Sequence, residues 1–275
     1  MDIFSIVGML GGVAIVLGVM AAQHLLSHLW SLEAFTLVIG GAAACSMFSF
    51  PGSLLIRSLR AAPLVFKPNV YDAMATVDLL VEIAQKARRN GLNAIEKDMK
   101  ESKDPFLKIA LKMLIDNINP HIIKETLENE INFMNTRHKA VVGAWNVLAG
   151  YAPTFGLIGT VLGLIIVLSD LSDIGRLGES MGHAIIATFY GLYFANFLFG
   201  PIAMKLNAHN DSEVVFKHAI IEGVLSIAAA EVPYVTRTKL EAFLDNQTKM
   251  RGEAKKAAAN AETAGGAGSP APAAA

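Results

Sequence analysis

The sequence predicts an all-α, polytopic membrane protein with four transmembrane helices and a helical cytoplasmic domain. Of its 275 residues, 53% are hydrophobic and 17% are charged, whereas soluble domains usually carry about a quarter charged residues. Charged residues are absent from four long stretches, which are Ile3–Leu32, Ala34–Ile56, Ala140–Ser169 and Ser180–Met204. Because about 20 apolar helical residues cross a bilayer, each stretch is long enough to be a span. A soluble globular enzyme is therefore excluded.

The basic residues predict the orientation in the membrane. All but one of the 23 Lys and Arg residues lie between Arg57 and Lys139 or from Lys205 onward. The positive-inside rule places both of these segments in the cytoplasm, and four spans then require both termini to be cytoplasmic as well. The outer loops are short and are expected at Ser27–Glu33 and Asp170–Glu179.

The chain is expected to divide into five segments. Residues 1–56 hold the first two spans, 57–139 a cytoplasmic helical loop, 140–204 the third and fourth spans, 205–251 a cytoplasmic helical segment, and 252–275 a disordered tail rich in Ala, Gly and Pro. Helical spacing of apolar residues predicts these helices outside the spans: Val70–Arg89 capped by Gly91, one starting near Leu92, Phe106–Asn117, one from Pro120 toward the third span, Glu213–Ala229, and a short one after Pro233.

No Asp, Glu, Lys or Arg lies within a predicted span. A protein that moves ions through a bilayer normally carries an ionisable residue there, so this chain alone is not expected to be an ion pump, although it can form the walls of one. Three threonines, Thr154, Thr160 and Thr188, are candidates to line an ion path, because a hydroxyl can offer oxygen to a hydrated cation. Bonding to their own helix backbone is the open alternative.

Other polar and small residues in the spans are less specific. His24 and His28 have the spacing of two zinc ligands on a helix but lack further ligands, so we expect no metal site there. His183 is interpreted as a solvated residue at the outer edge of the fourth span rather than a proton relay. Glycines four residues apart, such as Gly159 and Gly163, favour close helix contact and oligomerisation. Nothing predicts a cofactor or nucleic-acid binding.

Four motifs together resemble those of the MotA/PomA family of bacterial flagellar stator subunits, which is related to the TolQ/ExbB energisers. The resemblance covers about residues 1–245, and the motifs are Ala87–Leu92 with Ile95-Glu96, Tyr151–Thr160, Thr188–Gly191 and Gly200-Pro201. The resemblance implies a location in the inner membrane and a ring of five such subunits around two copies of a single-span B subunit. That B subunit would supply the ion-binding aspartate and a peptidoglycan-binding domain, which agrees with the charge-free spans found here.

The resemblance also implies roles for particular residues. Ion flow would turn the ring, and the cytoplasmic loops would drive the rotor protein FliG. Arg88 and Glu96 would be the rotor-facing charges, and Pro153 and Pro201 would couple ion passage to a change of shape. A solvated surface charge and an ordinary helix kink are the alternatives that the residues themselves leave open.

The ion and two rival functions also stay open. Thr160 and Tyr190-Gly191 fit sodium-type members of the family, whereas Ala187-Thr188 replaces their threonine pair, as in many proton-type members. The rivals are an energiser of the TolQ/ExbB type and a membrane scaffold without an ion path.

Overall fold

The computed structural model describes residues 3–24, 30–67, 73–102, 104–169 and 174–244, whose regular secondary structure is helical. The chain forms two compact units. We call Met1–Asn69 with Met134–Asp211 the membrane unit, because it holds the charge-free stretches, and Val70–Phe133 with Ser212–Ala275 the charged unit. These borders differ from the sequence-based segments, since residues 57–67 and 134–139 belong to the membrane unit.

The membrane unit is built from helices that follow one another with few loops. Its elements are α1 (Ile3–Ala22), α2 (Leu32–Phe35), a π-helical turn (Thr36–Gly40), α3 (Gly41–Ser49), α4 (Gly52–Ala61), a 3₁₀ turn (Ala62–Phe66), part of α8 (Pro120–Ser169), α9 (Ile174–Phe194), a second π-helical turn (Ala195–Phe199) and part of α10 (Gly200–Ala228).

The apolar helices are those of a membrane protein. Three described helical stretches are long and apolar enough to cross a bilayer: Leu32–Ser49, Pro120–Ser169 and Ser180–Ala228. Helix α1 adds a shorter apolar stretch, Ile6–Ala22. The all-α prediction is confirmed for the described residues, and the count of four spans stays a prediction.

Local capping moves the helix ends away from the borders of the charge-free stretches. Helix α2 begins at Leu32, within the approximate outer loop Ser27–Glu33, because the Ser31 hydroxyl accepts the Ala34 amide at 3.3 Å. Within the second charge-free stretch, which runs to Ile56, helix α3 ends at Ser49, since Phe50 precedes a proline and is extended. The predicted loop Asp170–Glu179 is likewise already helical from Ile174.

The charged unit packs short helices around one apolar core. It holds α5 (Ala73–Asn90), a 3₁₀ turn (Leu92–Ile95), α6 (Glu96–Glu101), α7 (Pro105–Ile115), α11 (Pro233–Glu241) and parts of α8 and α10. Leu80, Ile95, Phe106 and Ile220 are buried in its centre. Helix α7 begins where the sequence predicts, because the Asp104 carboxylate accepts the Phe106 amide at 3.0 Å.

Two predicted elements of the charged unit differ from the structure. The helix expected near Leu92 begins with a 3₁₀ turn, Leu92–Ile95, and the side chain of Ile95 is fully buried in the core. The helix expected at Glu213–Ala229 is the continuation of the fourth predicted span, since α10 runs unbroken over Gly200–Ala228. Helix α8 similarly continues from Pro120 through the third span, as the sequence predicts. The tail at 252–275 lies outside the described residues.

Candidate functional site

Helices α8 and α9 approach each other so closely that glycine is required at their contact. A Cβ atom on Gly156 would lie 3.0 Å from the Ala187 carbonyl oxygen, and Cβ atoms on Gly159 and Gly163 would overlap the methyl groups of Ala187 and Ala184. Small residues on both helices therefore bring the two backbones together. The close contact predicted from the glycine spacing is thus found within one chain.

Pro153 lies at a second close approach of α8 and α9, opposite Gly191. A Cβ atom on Gly191 would be 2.6 Å from the Ala152 carbonyl oxygen and 3.0 Å from the Cα atom of Pro153. Helix α8 continues through Pro153, but a proline has no N–H, so the carbonyl of Ala149 loses its helical donor. The predicted coupling residue is therefore packed directly against the neighbouring helix.

The three candidate threonines use their hydroxyls differently. Thr188 on α9 donates to the Gly156 carbonyl of α8 at 3.0 Å. Thr160 donates to Leu157 at 2.6 Å and Thr154 to Gly150 at 3.3 Å, both within α8. The backbone-bonding alternative is therefore found for two of the three.

Helix geometry groups two of these threonines and separates the third. Thr160 is four residues after Gly156, so the two lie on the same face of α8, and Thr188 meets that face through its bond to Gly156. Thr154 is two residues before Gly156 and so lies about 200° away around the helix axis; its side chain is exposed. Whether these side chains line an ion path stays a prediction.

Pro201 follows a local change of helix type. The Gly200 amide donates to the Ala195 carbonyl, five residues back, which closes the π-helical turn Ala195–Phe199. A Cβ atom on Gly200 would be only 3.0 Å from that oxygen, so a larger residue would crowd it. The wider turn accommodates the proline ring, which would otherwise meet the Phe197 carbonyl. Gly200 and Pro201 thus act together to set the shape of this helix.

A buried polar cluster, which residue spacing did not predict, joins α8 and α10. Asn210 is 3% exposed; its side-chain oxygen accepts from His138 Nδ1 at 3.1 Å, and its amide donates to Asn135 at 2.8 Å. The sequence pattern that could have indicated this cluster is Asn135 and His138, three residues apart on one helix face and just before the third charge-free stretch. Paired buried polar groups fix the relative position of two helices, because breaking the pair leaves them unsatisfied.

Two further histidines, His183 and His24, lie beside helix ends. His183 Nδ1 lies 3.1 Å from the hydroxyl of Ser31, the residue that caps α2. His24 has a left-handed backbone, with φ of 55°, and His28 lies outside the described residues. Among the described residues, no group of three or more His, Cys, Asp or Glu could hold a metal ion.

The two predicted rotor-facing charges lie on either side of a left-handed glycine. Gly91, with φ of 81°, ends α5 and donates to the Ala87 carbonyl at 2.9 Å. Arg88 in the last turn of α5 and Glu96 at the start of α6 are both exposed. The hydrogen bond and charge of Lys100, 2.6 Å from the Glu96 carboxylate, lower the pKa of Glu96, so Glu96 is ionised at neutral pH.

Partly exposed ion pairs of Lys86 adjoin this surface. Lys86 donates to Asp98 at 2.8 Å and also pairs with Glu82, which raises the pKa of Lys86. Because Lys86 is on α5 and Asp98 on α6, the pair connects the two helices that carry Arg88 and Glu96. The sequence shows these charges, but helical spacing alone does not pair residues across a turn.

The chain is similar to known proteins over nearly its whole length. Residues 98–219 match the model of the MotA/TolQ/ExbB proton channel family. Motility protein A of Treponema pallidum is 34% identical over 253 residues, which cover 92% of this chain and 97% of that one. The chain belongs to the motility protein A (MotA) family. PomA of Vibrio alginolyticus is 27% identical over 89% of this chain and 96% of its own length.

Solved structures of MotA assemblies have the same fold. The C. jejuni MotAB structure matches with a TM-score of 0.84 and 30% identity, covering 90% of this chain and 97% of that one. The Bacillus subtilis flagellar MotAB stator complex matches with a TM-score of 0.83 and 29% identity, covering 91% and 98%. The resemblance to MotA and PomA and the prediction of a flagellar stator A subunit are therefore confirmed. Neither the TolQ/ExbB-type energiser nor the passive scaffold is favoured, because the MotA relatives match over almost the full length.

Proposed function

We propose that the chain works as the A subunit of an ion-driven rotary stator and requires a single-span B subunit to supply the ion-binding aspartate. The main support is the combination of full-length similarity to motility protein A with spans that carry no charged side chain. Without an ionisable group of its own at membrane depth, the chain provides the walls of the path and the moving parts. We expect no resident cofactor, because the ion path needs only the transported ion and the aspartate of the B subunit in addition to this chain.

The proposed topology has four crossings in the bacterial inner membrane with both termini in the cytoplasm. Helix α1 is the first crossing, in addition to the three longer apolar stretches, and its apolar stretch Ile6–Ala22 approaches the length of a span. The orientation is supported by the segregation of Lys and Arg into residues 57–139 and the segment from 205 onward.

The assembly we propose is a ring of five copies around two B subunits. Support comes from the outer part of α8, which exposes large apolar side chains on several faces, including Leu157 at 61% and Leu168 at 68%. Within a bilayer such faces contact lipid or other apolar helices. The third span is therefore well suited to contact the B subunit or a neighbouring copy.

In this proposal the face of α8 that carries Thr160 borders the ion path, and Thr188 contributes a second hydroxyl to it. Thr154 lies about 200° around α8 from that face and is not assigned to it. Pro153 and Pro201 couple ion passage to movement, because each interrupts regular helical bonding where another helix or a π-helical turn adjoins it. One elementary charge crossing 100 mV releases about 2.3 kcal/mol, so each step requires stiff coupling. The ion is a proton or sodium.

The rotor contact we propose uses Arg88 and Glu96 against FliG. Both side chains are exposed, and both helices that carry them are held by the Lys86–Asp98 pair. We expect the double charge reversal R88E/E96K to abolish or strongly reduce swimming in a motile bacterium that lacks its own A subunit, while the amount of protein in the membrane stays unchanged. Normal swimming of this variant would rule out the rotor contact.

A matched control reverses two exposed charges of the same unit, K112E/E125K, and should leave swimming largely intact. The ion is tested in the same strain by measuring swimming speed against external sodium at fixed pH. A sodium-dependent speed identifies sodium, and a sodium-independent one identifies protons.

A further inference from the structure

The connection between α10 and α11 contains a strained alanine. Residues 229–232, which we call the corner, join the two helices, and within the corner Ala230 has φ of 50°. The Ala230 amide donates to the Ile227 carbonyl at 3.0 Å, as at helix ends where glycine usually occupies the left-handed position. Because the Cβ atom of alanine makes this conformation unfavourable, it persists only where surrounding contacts fix it.

Ser226 and Glu231 are bonded to each other twice across the corner. The Glu231 amide donates to the Ser226 carbonyl at 3.1 Å, and the buried Ser226 hydroxyl donates to the Glu231 carboxylate at 2.6 Å. The other oxygen of this carboxylate accepts from Lys239 of α11 at 2.8 Å, and Lys239 also lies 3.3 Å from Glu222 of α10. These contacts fix the backbone on both sides of Ala230.

A buried hydroxyl of α11 is bonded to the same serine. Thr236 is fully buried, and its Oγ1 lies 2.7 Å from the Ser226 Oγ. Because the single hydroxyl hydrogen of Ser226 is used on Glu231, Thr236 is the donor in this contact. A hydrogen bond tolerates little displacement of its partners, and breaking this one would leave two buried hydroxyls unsatisfied. The start of α11 is therefore attached to the last turn of α10 in one orientation.

Helix α11 in turn holds α5. The Arg237 guanidinium of α11 donates to Asp78 of α5 at 2.6 Å. A Cβ atom on Gly223 of α10 would be 2.8 Å from Leu80 of α5 and 3.4 Å from Leu240 of α11, so the three helices meet at this glycine. In such close packing one helix cannot turn without displacing its neighbours. The position of α5 therefore depends on the orientation of α11.

We infer that the corner positions the proposed rotor contact: it fixes the orientation of α11, and α11 holds α5 so that Arg88 faces the rotor protein at one angle. Ser226, Glu231 and Thr236 are then positioning residues, which act through α5 and do not touch the rotor protein themselves. The inference rests on the rotor contact proposed above, but its structural part concerns the charged unit alone.

The test separates the orientation of α11 from stability. S226A removes the hydroxyl that Glu231 and Thr236 share, whereas A230G removes the strain of the left-handed alanine. The purified double variant S226A/A230G should therefore melt close to the unmodified protein. We expect its amide hydrogen exchange to be faster in Pro233–Glu241 and in residues 82–90 of α5.

Torque is measured with a bead on the flagellar stub of a motile bacterium that lacks its own A subunit. We expect S226A/A230G to be present in the membrane in the normal amount and to give a lower stall torque. A230G alone should melt at a higher temperature and give normal torque, because the hydroxyl bonds remain. Normal torque in the double variant would overturn the inference even if hydrogen exchange became faster.

A second pair of variants tests the hydroxyl of Thr236 directly. T236V keeps the shape of the side chain and should lower the torque, whereas T236S keeps the hydroxyl and should give normal torque. T238V is the control, because Thr238 is exposed and its hydroxyl bonds within α11 to the Tyr234 carbonyl. An equal loss of torque in T236V and T236S would overturn the inference, since side-chain volume and not the hydroxyl would then matter.

Failure of this inference and failure of the rotor contact give different results. If the rotor contact is wrong, R88E/E96K swims normally, whatever the corner does. If the corner does not position α5, hydrogen exchange in residues 82–90 stays unchanged in S226A/A230G, and this is measured on the purified protein without a rotor.

Discussion

The hydroxyl of Thr188 donates a hydrogen bond to the carbonyl oxygen of Gly156, 3.0 Å away, and so connects α9 to α8 at the point where both backbones are in close contact. Gly156 in turn lies on the same face of α8 as Thr160, one turn away. A hydroxyl at this position therefore has two possible functions: it holds the helices together, and it adds an oxygen beside the proposed ion path. Substitutions that keep or remove the hydroxyl distinguish these functions.

Replacing Thr188 by valine keeps the shape of the side chain and removes the hydroxyl. Because hydrogen bonds between membrane helices contribute about 0.6 kcal/mol on average, T188V should lower stability only slightly. We expect a severalfold loss of ion flux in reconstituted complexes, whereas T188S should keep flux near the unmodified level. S169A, which removes a hydroxyl bonded within α8, is the control. If T188V conducts normally, the Thr188 hydroxyl has no function in the ion path.

Gly191 should not tolerate a side chain. A Cβ atom there would be 2.6 Å from the Ala152 carbonyl oxygen and 3.0 Å from the Cα of Pro153, and neither backbone atom can move without separating α8 from α9. We expect G191A to cost about 1–3 kcal/mol, seen as a lower melting temperature of the purified protein. G182A on the same helix, where no atom lies within 4 Å of the added carbon, should melt normally. Equal melting of the two variants would contradict the close packing described here.

Arg237 attaches α11 to the core of the charged unit. Its guanidinium donates to Asp78 of α5 at 2.6 Å and to Glu241 at 3.2 Å. Partial burial disfavours its charge, but the two carboxylates outweigh burial and raise the pKa of Arg237. R237Q should destabilise this contact by about 1 kcal/mol and speed amide hydrogen exchange in Pro233–Glu241. R89Q, at an exposed arginine of α5, should leave the exchange of α11 unchanged; similar exchange in both variants would argue against the attachment.

Glu231 should make stability depend on pH. Lys239 at 2.8 Å, and then the Ser226 hydroxyl at 2.6 Å, lower the pKa of the Glu231 carboxyl below its ordinary value of 4.5. A group whose pKa is lower in the folded state stabilises the protein above its unfolded pKa, and that stabilisation is lost as pH falls through the folded value. The melting temperature of the unmodified protein should therefore exceed that of E231Q at pH 7. The difference should shrink as the pH falls below 4.5, and a constant difference would contradict this assignment.

Much of the site could be anticipated from residue types, but not the pairing of its groups. The exposure of Arg88 and Glu96 agrees with their positions at helix ends, since Gly91 separates two helices in the sequence itself. The Asn210–His138 contact joins residues that are 72 positions apart, and the Lys86–Asp98 pair crosses a turn. Neither follows from periodicity, because a spacing rule relates residues of one helix only. For the same reason the sequence, which left open whether the Thr188 hydroxyl lines an ion path or bonds its own helix, did not predict its bond to Gly156 of α8.

The sequence by itself determined that the chain is helical and apolar enough for a membrane, since the absence of charge over long stretches depends on composition alone. It also located the helix starts at Pro105, Pro120 and Pro233, because prolines and their caps act within a few residues. Only the tertiary structure decided where the described helices end, which glycines are required and which charged groups pair across helices. These properties depend on distances between atoms far apart in the chain, such as the contact of Gly191 with Pro153, and packing fixes those distances.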